Sequence, residues 1–235
     1  MAIFTIGDPH LSLAANKAMD VFPGWQNYVA RLEENWKRLV GDADTVVIPG
    51  DISWGMDLSE ALPDLQFLDR LPGKKILLKG NHDYWWVTMK KLEEAKASYS
   101  LNSLTFLFNN AVTVENIAVC GTRGWGAEEK ADGGKVIRRE AGRLRLSIEA
   151  AVATGLTPVV FLHYPPFYND GDLVCEEIYS VLLEYGIRRC YFGHLHQERS
   201  GKYRSFTRDG IVFSLVSADF LDFCPKQIEE SITKL

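Results

Sequence analysis

The chain has 235 residues, long enough for one sizeable domain with a substantial buried core. Hydrophobic residues make up 46% and charged residues 24%, which excludes a mainly disordered or fibrous chain. The net charge of -5 argues against tight nonspecific binding of nucleic acid, which depends on phosphate neutralisation by Lys and Arg.

In chain order, Met1-Ala2-Ile3-Phe4-Thr5-Ile6 lacks a basic leader and turns polar at Gly7-Asp8, too soon for a signal peptide. Ile3 to Ile6 reads as a buried strand that Pro9 closes. Trp25, Tyr28, Leu32, Trp36 and Leu39 recur at helical spacing, with Arg31, Glu33, Lys37 and Arg38 on the opposite face, and predict an amphipathic helix. Thr45 to Ile48 is a second buried strand, ending in Pro49-Gly50-Asp51. The strand-helix-strand order implies a parallel pair with a right-handed crossover.

A helix from Asp57 to Leu71, capped by Asp57 or Ser59, should stop at Pro72-Gly73 before a third strand, Lys75 to Lys79. Gly80-Asn81-His82-Asp83 follows directly, and a helix is expected from about Tyr84 to Ala97. Thr105 to Phe108, Ala111 to Val114 and Ile117 to Cys120 then predict an antiparallel meander, with Asn109-Asn110 and Glu115-Asn116 as its tight turns. Gly121 to Gly134 reads as a loop, followed by a long helix from Val136 to Ala151 whose arginines form a solvated face.

Pro158 to Leu162 is a further strand, ending at His163-Tyr164-Pro165-Pro166. A helix from Leu173 to Tyr185 leads to the strand Arg189 to Phe192 and then to Gly193-His194-Leu195-His196. Asp209-Gly210 marks a hairpin between Tyr203 to Thr207 and Ile211 to Val216. No repeat or linker divides the chain, so a single α/β domain spanning residues 1–235 is expected. The four cysteines, Cys120, Cys175, Cys190 and Cys224, form no C-x-x-C pair and read as free thiols. Together with the absence of an apolar run of membrane-spanning length, this leads to the expectation of a cytoplasmic protein without membrane partners.

Five strand ends carry Asp8 and His10, Asp51, Asn81 with His82 and Asp83, His163, and His194 with His196; all five histidines of the chain belong to this set. No serine or cysteine lies within it, so a covalent triad has no nucleophile. Imidazoles mixed with carboxylates suit Mn, Fe, Zn, Co or Ni, and an all-oxygen cage for Mg or Ca does not match. The seven donors Asp8, His10, Asp51, Asn81, His163, His194 and His196 exceed what one tetrahedral ion needs. They divide between two ions if one carboxylate bridges.

The order Asp8-Pro9-His10, Gly50-Asp51, Gly80-Asn81-His82-Asp83, His163 and Gly193-His194-Leu195-His196 resembles that of the calcineurin-like metallophosphoesterases. The resemblance implies a four-layer α/β/β/α sandwich with two mixed sheets. It implies one ion held by Asp8, His10 and His196, another by Asn81, His163 and His194, and Asp51 as the bridge, with a metal-bridging hydroxide as nucleophile. His82 is left over and is expected to protonate the leaving oxygen or to stabilise the phosphorane-like charge, its ring oriented by Asp83. Where many relatives continue the second motif with a further Asp and Arg, this chain has Ile52-Ser53-Trp54. Trp54 is therefore expected to line the substrate mouth. Arg123 is a candidate phosphate clamp, against a surface ion pair with Glu128 or Glu129, and Lys17 is a weaker candidate. The expected substrate is a small or medium phosphorylated compound, either monoester or diester. A metal-dependent nuclease and a noncatalytic scaffold that retains the fold are the alternatives.

Overall fold

The computed structural model describes residues 1–125, 134–168, 173–198 and 200–228. The elements run β1 (Ile3–Thr5), α1 (Tyr28–Leu39), β2 (Thr45–Pro49), α2 (Leu58–Arg70), β3 (Lys74–Leu78), α3 (Met89–Ser98), β4 (Leu104–Leu107), β5 (Val112–Val114) and β6 (Ile117–Thr122). They continue with α4 (Lys135–Val152), β7 (Thr157–Leu162), β8 (Phe167–Tyr168), β9 (Leu173–Val174), α5 (Glu176–Glu184), β10 (Arg189–Phe192), β11 (Phe206–Arg208), β12 (Ile211–Leu215) and β13 (Lys226–Gln227).

One sheet has the order β13-β1-β2-β3-β4, and the other β11-β12-β10-β7-β6-β5. Each has a parallel centre with antiparallel pairing at its margin, so both are mixed. The alternation of side chains along each strand builds the layers. Phe4, Val46, Ile48 and Leu77 face α1 and α2, packing on Leu32, Trp36, Leu65 and Leu68. Their neighbours Ile3, Val47, Ile76 and Leu78 point the other way, against Val119, Val159, Phe161 and Tyr191 of the second sheet. Val160, Leu162, Cys190 and Phe192 complete the alternation against α4 and α5. Strands buried on both faces need continuous apolar runs, which β2, β3, β7 and β10 have. The result is the expected four-layer α/β/β/α sandwich.

Three expectations need correction. β4 is not part of a meander: it pairs in parallel with β3, Leu104 opposite Lys75, and closes the first sheet. Only β5 and β6 form the antiparallel hairpin, and β6 then pairs in parallel with β7. Asn109-Asn110 therefore carries the chain between sheets, because the apolar side chains of β4 find their burial beside β3. α3 starts at Met89, where the Thr88 hydroxyl caps Lys91 N–H, and not at Tyr84. α5 starts at Glu176, since Leu173–Val174 pairs with Phe167–Tyr168 as a two-stranded ribbon. Asp57, not Ser59, caps α2, accepting from the N–H groups of Ser59 and Glu60. The Asp209-Gly210 turn joins β11 to β12 as expected, with φ of 49° and 78°. Cys120, Cys175 and Cys190 are buried free thiols, and no helix among the described residues is long and apolar enough to cross a membrane.

Candidate metal centre

The site lies where the carboxyl ends of the two sheets meet, the edge at which open α/β sheets bind ligands. Past β1, Gly7 N–H donates to Val216 O at 2.6 Å and its carbonyl accepts from Ala218 N–H at 2.8 Å, joining the two sheets. This join sets Asp8 against the turn after β10, where both its oxygens accept from His194 N–H at 3.0 Å. Gly193 is required here, since a Cβ at that position would fall on the Asp8 carboxylate.

The same holds at the opposite wall. A Cβ on Gly80 would overlap Asp51 Oδ1, and one on Gly50 would meet both Gly80 and His163 Nδ1. Asp51 Oδ1 accepts from His82 N–H at 2.8 Å, so the loop after β3 holds the carboxylate in place. Asp8, His10, Asp51 and His194 all have left-handed backbone, with φ of 51°, 45°, 50° and 70°. Such conformations persist in non-glycine residues where surrounding structure imposes them, and they gather at functional sites.

The side chains form two groups. Asp8, His10 and His196 each offer a ligand atom within 4.8 Å of the others, as do Asp51, His163 and His194. Asp51 lies between the groups, with Oδ2 3.6 Å from His10 Nε2 and 3.5 Å from His163 Nε2. Asn81 Oδ1 sits 2.6 Å from His163 Nε2 and 3.1 Å from His194 Nδ1, on the second group's side. The fold thus brings together all seven residues expected as donors.

The donor chemistry fits divalent cations. His163 Nδ1 lies 3.2 Å from the Pro49 carbonyl, and a proton held there leaves Nε2 as a ligand. His196 Nδ1 lies 2.9 Å from Asp219 Oδ1, which likewise turns Nε2 inward, 3.0 Å from His10 Nε2. His10 Nδ1 is buried without a hydrogen-bond partner among the described residues. Burial, with neighbouring imidazoles second, holds His10 and His163 well below the usual histidine range, and brings His194 down to about 4. Ligating imidazoles must be neutral, and this lowering favours the neutral form. Burial pulls His196 down, but Asp219 and Asp8 outweigh it and leave the ring raised. Burial also lifts Asp8 to about 7 and raises Asp51 well above the carboxylate range. Buried carboxylates crowded together in this way call for a cationic partner.

Around the donors stands an aromatic wall. Trp54 stacks on His10 at 5.0 Å between ring centroids and 19° between planes, and contacts the His82 ring at 4.4 Å. Lys17 lies over the outer face of Trp54, 4.6 Å from its centroid. Trp25 closes the other flank, 5.8 Å from both His10 and His196. Trp54 and His82 therefore both stand beside the His10 ring. Arg123 lies over the Trp125 ring at 4.6 Å and lines a separate cavity, while Glu128 and Glu129 fall outside the described residues.

Asp83 is fully buried and accepts four hydrogen bonds. Oδ1 accepts from the N–H groups of Ile52 at 2.8 Å and Ser53 at 3.2 Å and from Trp85 Nε1–H at 2.9 Å. Oδ2 accepts from Gly80 N–H at 2.7 Å. The carboxylate ties the loop after β2 to the loop after β3. Ser53 adds a second tie, its hydroxyl donating to Asp64 Oδ2 at 2.5 Å. These bonds hold in place the Ile52-Ser53 segment that follows Asp51. Asp219 and Trp25 escaped sequence reading, because neither stands in a strand-end motif.

The family assignment rests on more than the motifs. The model of the calcineurin-like phosphoesterases matches residues 1–198, and the chain belongs to that family. It is accordingly a metal-dependent phosphoesterase. No curated protein matches it. Among solved structures, it shares its fold with TT1561 of Thermus thermophilus (TM-score 0.58, 9% identity, 97% of each chain covered). A protein of unknown function from Aquifex aeolicus, AQ665, is also similar (TM-score 0.52, 16% identity, 96% of this chain and 95% of that one).

Proposed function

We propose that the chain is a dinuclear phosphohydrolase that cleaves a phosphomonoester or phosphodiester. The observation that carries this reading is the placement of Asp51 between two donor groups, one with Asp8, His10 and His196 and one with Asn81, His163 and His194. Two divalent cations from among Mn, Fe, Zn, Co and Ni would supply an activated water and a positive clamp for phosphoryl oxygens. The protein residues do the rest. Pro49 and Asp219 hold His163 and His196 in the ligating tautomer, and His82 N–H holds the bridging carboxylate. The His82 ring lies 5.7 Å from the His10 ring and 4.4 Å from the Trp54 ring, where it donates a proton to the leaving oxygen. Trp54 and Trp25 exclude water from the two flanks, and the half-buried Trp54 offers an apolar surface to the leaving group.

The test is hydrolysis of 4-nitrophenyl phosphate and bis(4-nitrophenyl) phosphate with each of Mn, Fe, Zn, Co, Ni and Mg, beside an Asp51→Asn variant and a metal analysis. About two ions per chain and activity lost in the variant are expected. A metal-free protein inert towards both esters would favour the scaffold alternative. Cleavage that remains in Asp51→Asn would remove the bridge from the mechanism.

A further inference from the structure

Next to the metal centre lies a cavity of about 260 Å³ at the carboxyl ends of β3, β4 and β6, and its polar lining is strongly basic. Lys79, Arg123, Arg139 and Arg143 contribute cations, and Glu140 is the one carboxylate among its described residues. Glu140 is already engaged, by Arg143 at 2.5 Å and by the Thr122 hydroxyl at 2.7 Å. Arg123 lies over Trp125 and Lys79 Nζ is 3.5 Å from the Trp86 carbonyl. Among the described residues, neither these two nor Arg139 has a carboxylate within ion-pair distance. Like charges gathered in a concave site repel one another, and an anion there relieves that repulsion.

The cavity adjoins the strand ends that carry the donors. Thr122 pairs with Leu162, and Tyr164 N–H donates to Arg123 O at 2.8 Å, so Arg123 leaves its strand beside His163. The separation is one strand spacing, about 5 Å at the backbone. Lys79 directly precedes the Gly80-Asn81 turn. A molecule held at the metal centre by one phosphate reaches the cavity with a group only a few bonds away.

We infer that this cavity is a second anion subsite, and that the substrate carries a further phosphate group besides the one that is cut. Arg123 and Arg139 bind it through charge-assisted N–H bonds to phosphate oxygens, and Lys79 adds a point charge. The volume suits a phosphate or a sugar phosphate and is too small for an extended polymer. The inference rests on the phosphoesterase reading above and narrows its substrate class to compounds with two phosphate groups.

The experiment compares two nitrophenyl esters on the metal-loaded enzyme: thymidine 5′-(4-nitrophenyl phosphate) and the same compound bearing a 3′-phosphate. The doubly phosphorylated ester should show a KM lower by about tenfold, the effect of one charge-assisted contact or more. Arg139→Glu, at an exposed position that tolerates substitution, should abolish that ratio, and Arg123→Ala should reduce it. A KM ratio near one in the unaltered enzyme, or a ratio unchanged in Arg139→Glu, overturns the subsite. If neither ester is cleaved, the diesterase reading fails by itself, and calorimetry with thymidine 3′,5′-bisphosphate decides the subsite. Binding about tenfold weaker in Arg139→Glu then upholds it, and equal or absent binding overturns it.

Discussion

The His196 imidazole and the Asp219 carboxylate are 2.9 Å apart, Nδ1 to Oδ1, and the other oxygen of Asp219 accepts from Gln197 N–H at 2.8 Å. The carboxylate thereby fixes both the ring and the backbone that carries it. Removing such a partner from a ligating histidine lowers metal affinity about 10- to 100-fold. Asp219→Ala should show that loss in a competitive metal titration, selectively for one of two bound ions, with Asp219→Asn closer to the unaltered protein. Equal affinity at both ions in Asp219→Ala would show that the pair does not support a ligand.

His82→Ala should lower kcat by about 10²- to 10⁴-fold, the usual worth of a positioned proton donor, while metal content stays the same. An ester with a nitrophenolate leaving group needs little protonation and should suffer less than an alkyl ester. Equal losses for the two esters would assign His82 to packing against Trp54 instead.

Asp83 makes a contrasting prediction. Its four donors include three backbone N–H groups, all buried with it, and leaving them unsatisfied costs about 1–3 kcal/mol each at the upper bound. Asp83→Ala should therefore lower the melting temperature markedly and weaken both metal sites together, since Asp51 and Asn81 stand on the loops it joins. The alkaline limb of the pH-rate profile, where a proton donor loses its proton, should keep its position in whatever folded fraction remains. A shifted limb with unchanged stability would restore Asp83 as the partner of His82.

Lys75 supplies a prediction remote from the site. Its ammonium is fully buried at the end of α2, donating to the carbonyls of Leu71 and Gly73, the latter at 2.8 Å, and to Ser103 Oγ at 3.2 Å. Burial brings it from 10.5 to about 8. Between those values the unfolded chain holds the proton more tightly than the native one, so unfolding free energy rises with pH across the window. The slope is at most about 1.4 kcal/mol per pH unit. Lys75→Met should lack this rise in denaturant titrations at pH 7.5 and 10, and should also be less stable at both, because the helix-end carbonyls lose their donor. Parallel pH dependence in the two proteins would mean that Lys75 titrates normally.

How much of this was legible beforehand follows from range. The strand ends were legible because a buried parallel strand must be a short apolar run, and each such run here stops at a polar motif. β4 was misplaced because Thr105 to Phe108 followed by Asn109-Asn110 has the local appearance of a hairpin arm. Its true partner, β3, is chosen by burial between α3 and the second sheet, which no local pattern encodes. Leu173 and Val174 read as helical because Ile178, Val181, Leu182 and Tyr185 follow Val174 at steps of three and four, whereas pairing with Phe167–Tyr168 claims the backbone first.

The sequence by itself determined the chemistry: all five histidines with Asp8, Asp51 and Asn81 at strand ends, and glycines at 50, 80 and 193 beside them. Residue type and distance from a strand end are local properties, and they suffice to say that donors will gather on one edge. Only the tertiary structure decided which donor meets which, that Asp51 stands between the groups, that Asp83 binds loops together and that Asp219 holds His196. It also parted Arg123 from the metal centre and gave it Lys79, Arg139 and Arg143 as neighbours. Those contacts join residues tens to hundreds of positions apart, through the packing of two sheets face to face. They depend on the direction of side chains in the assembled layers, which the order of residues along the chain does not specify.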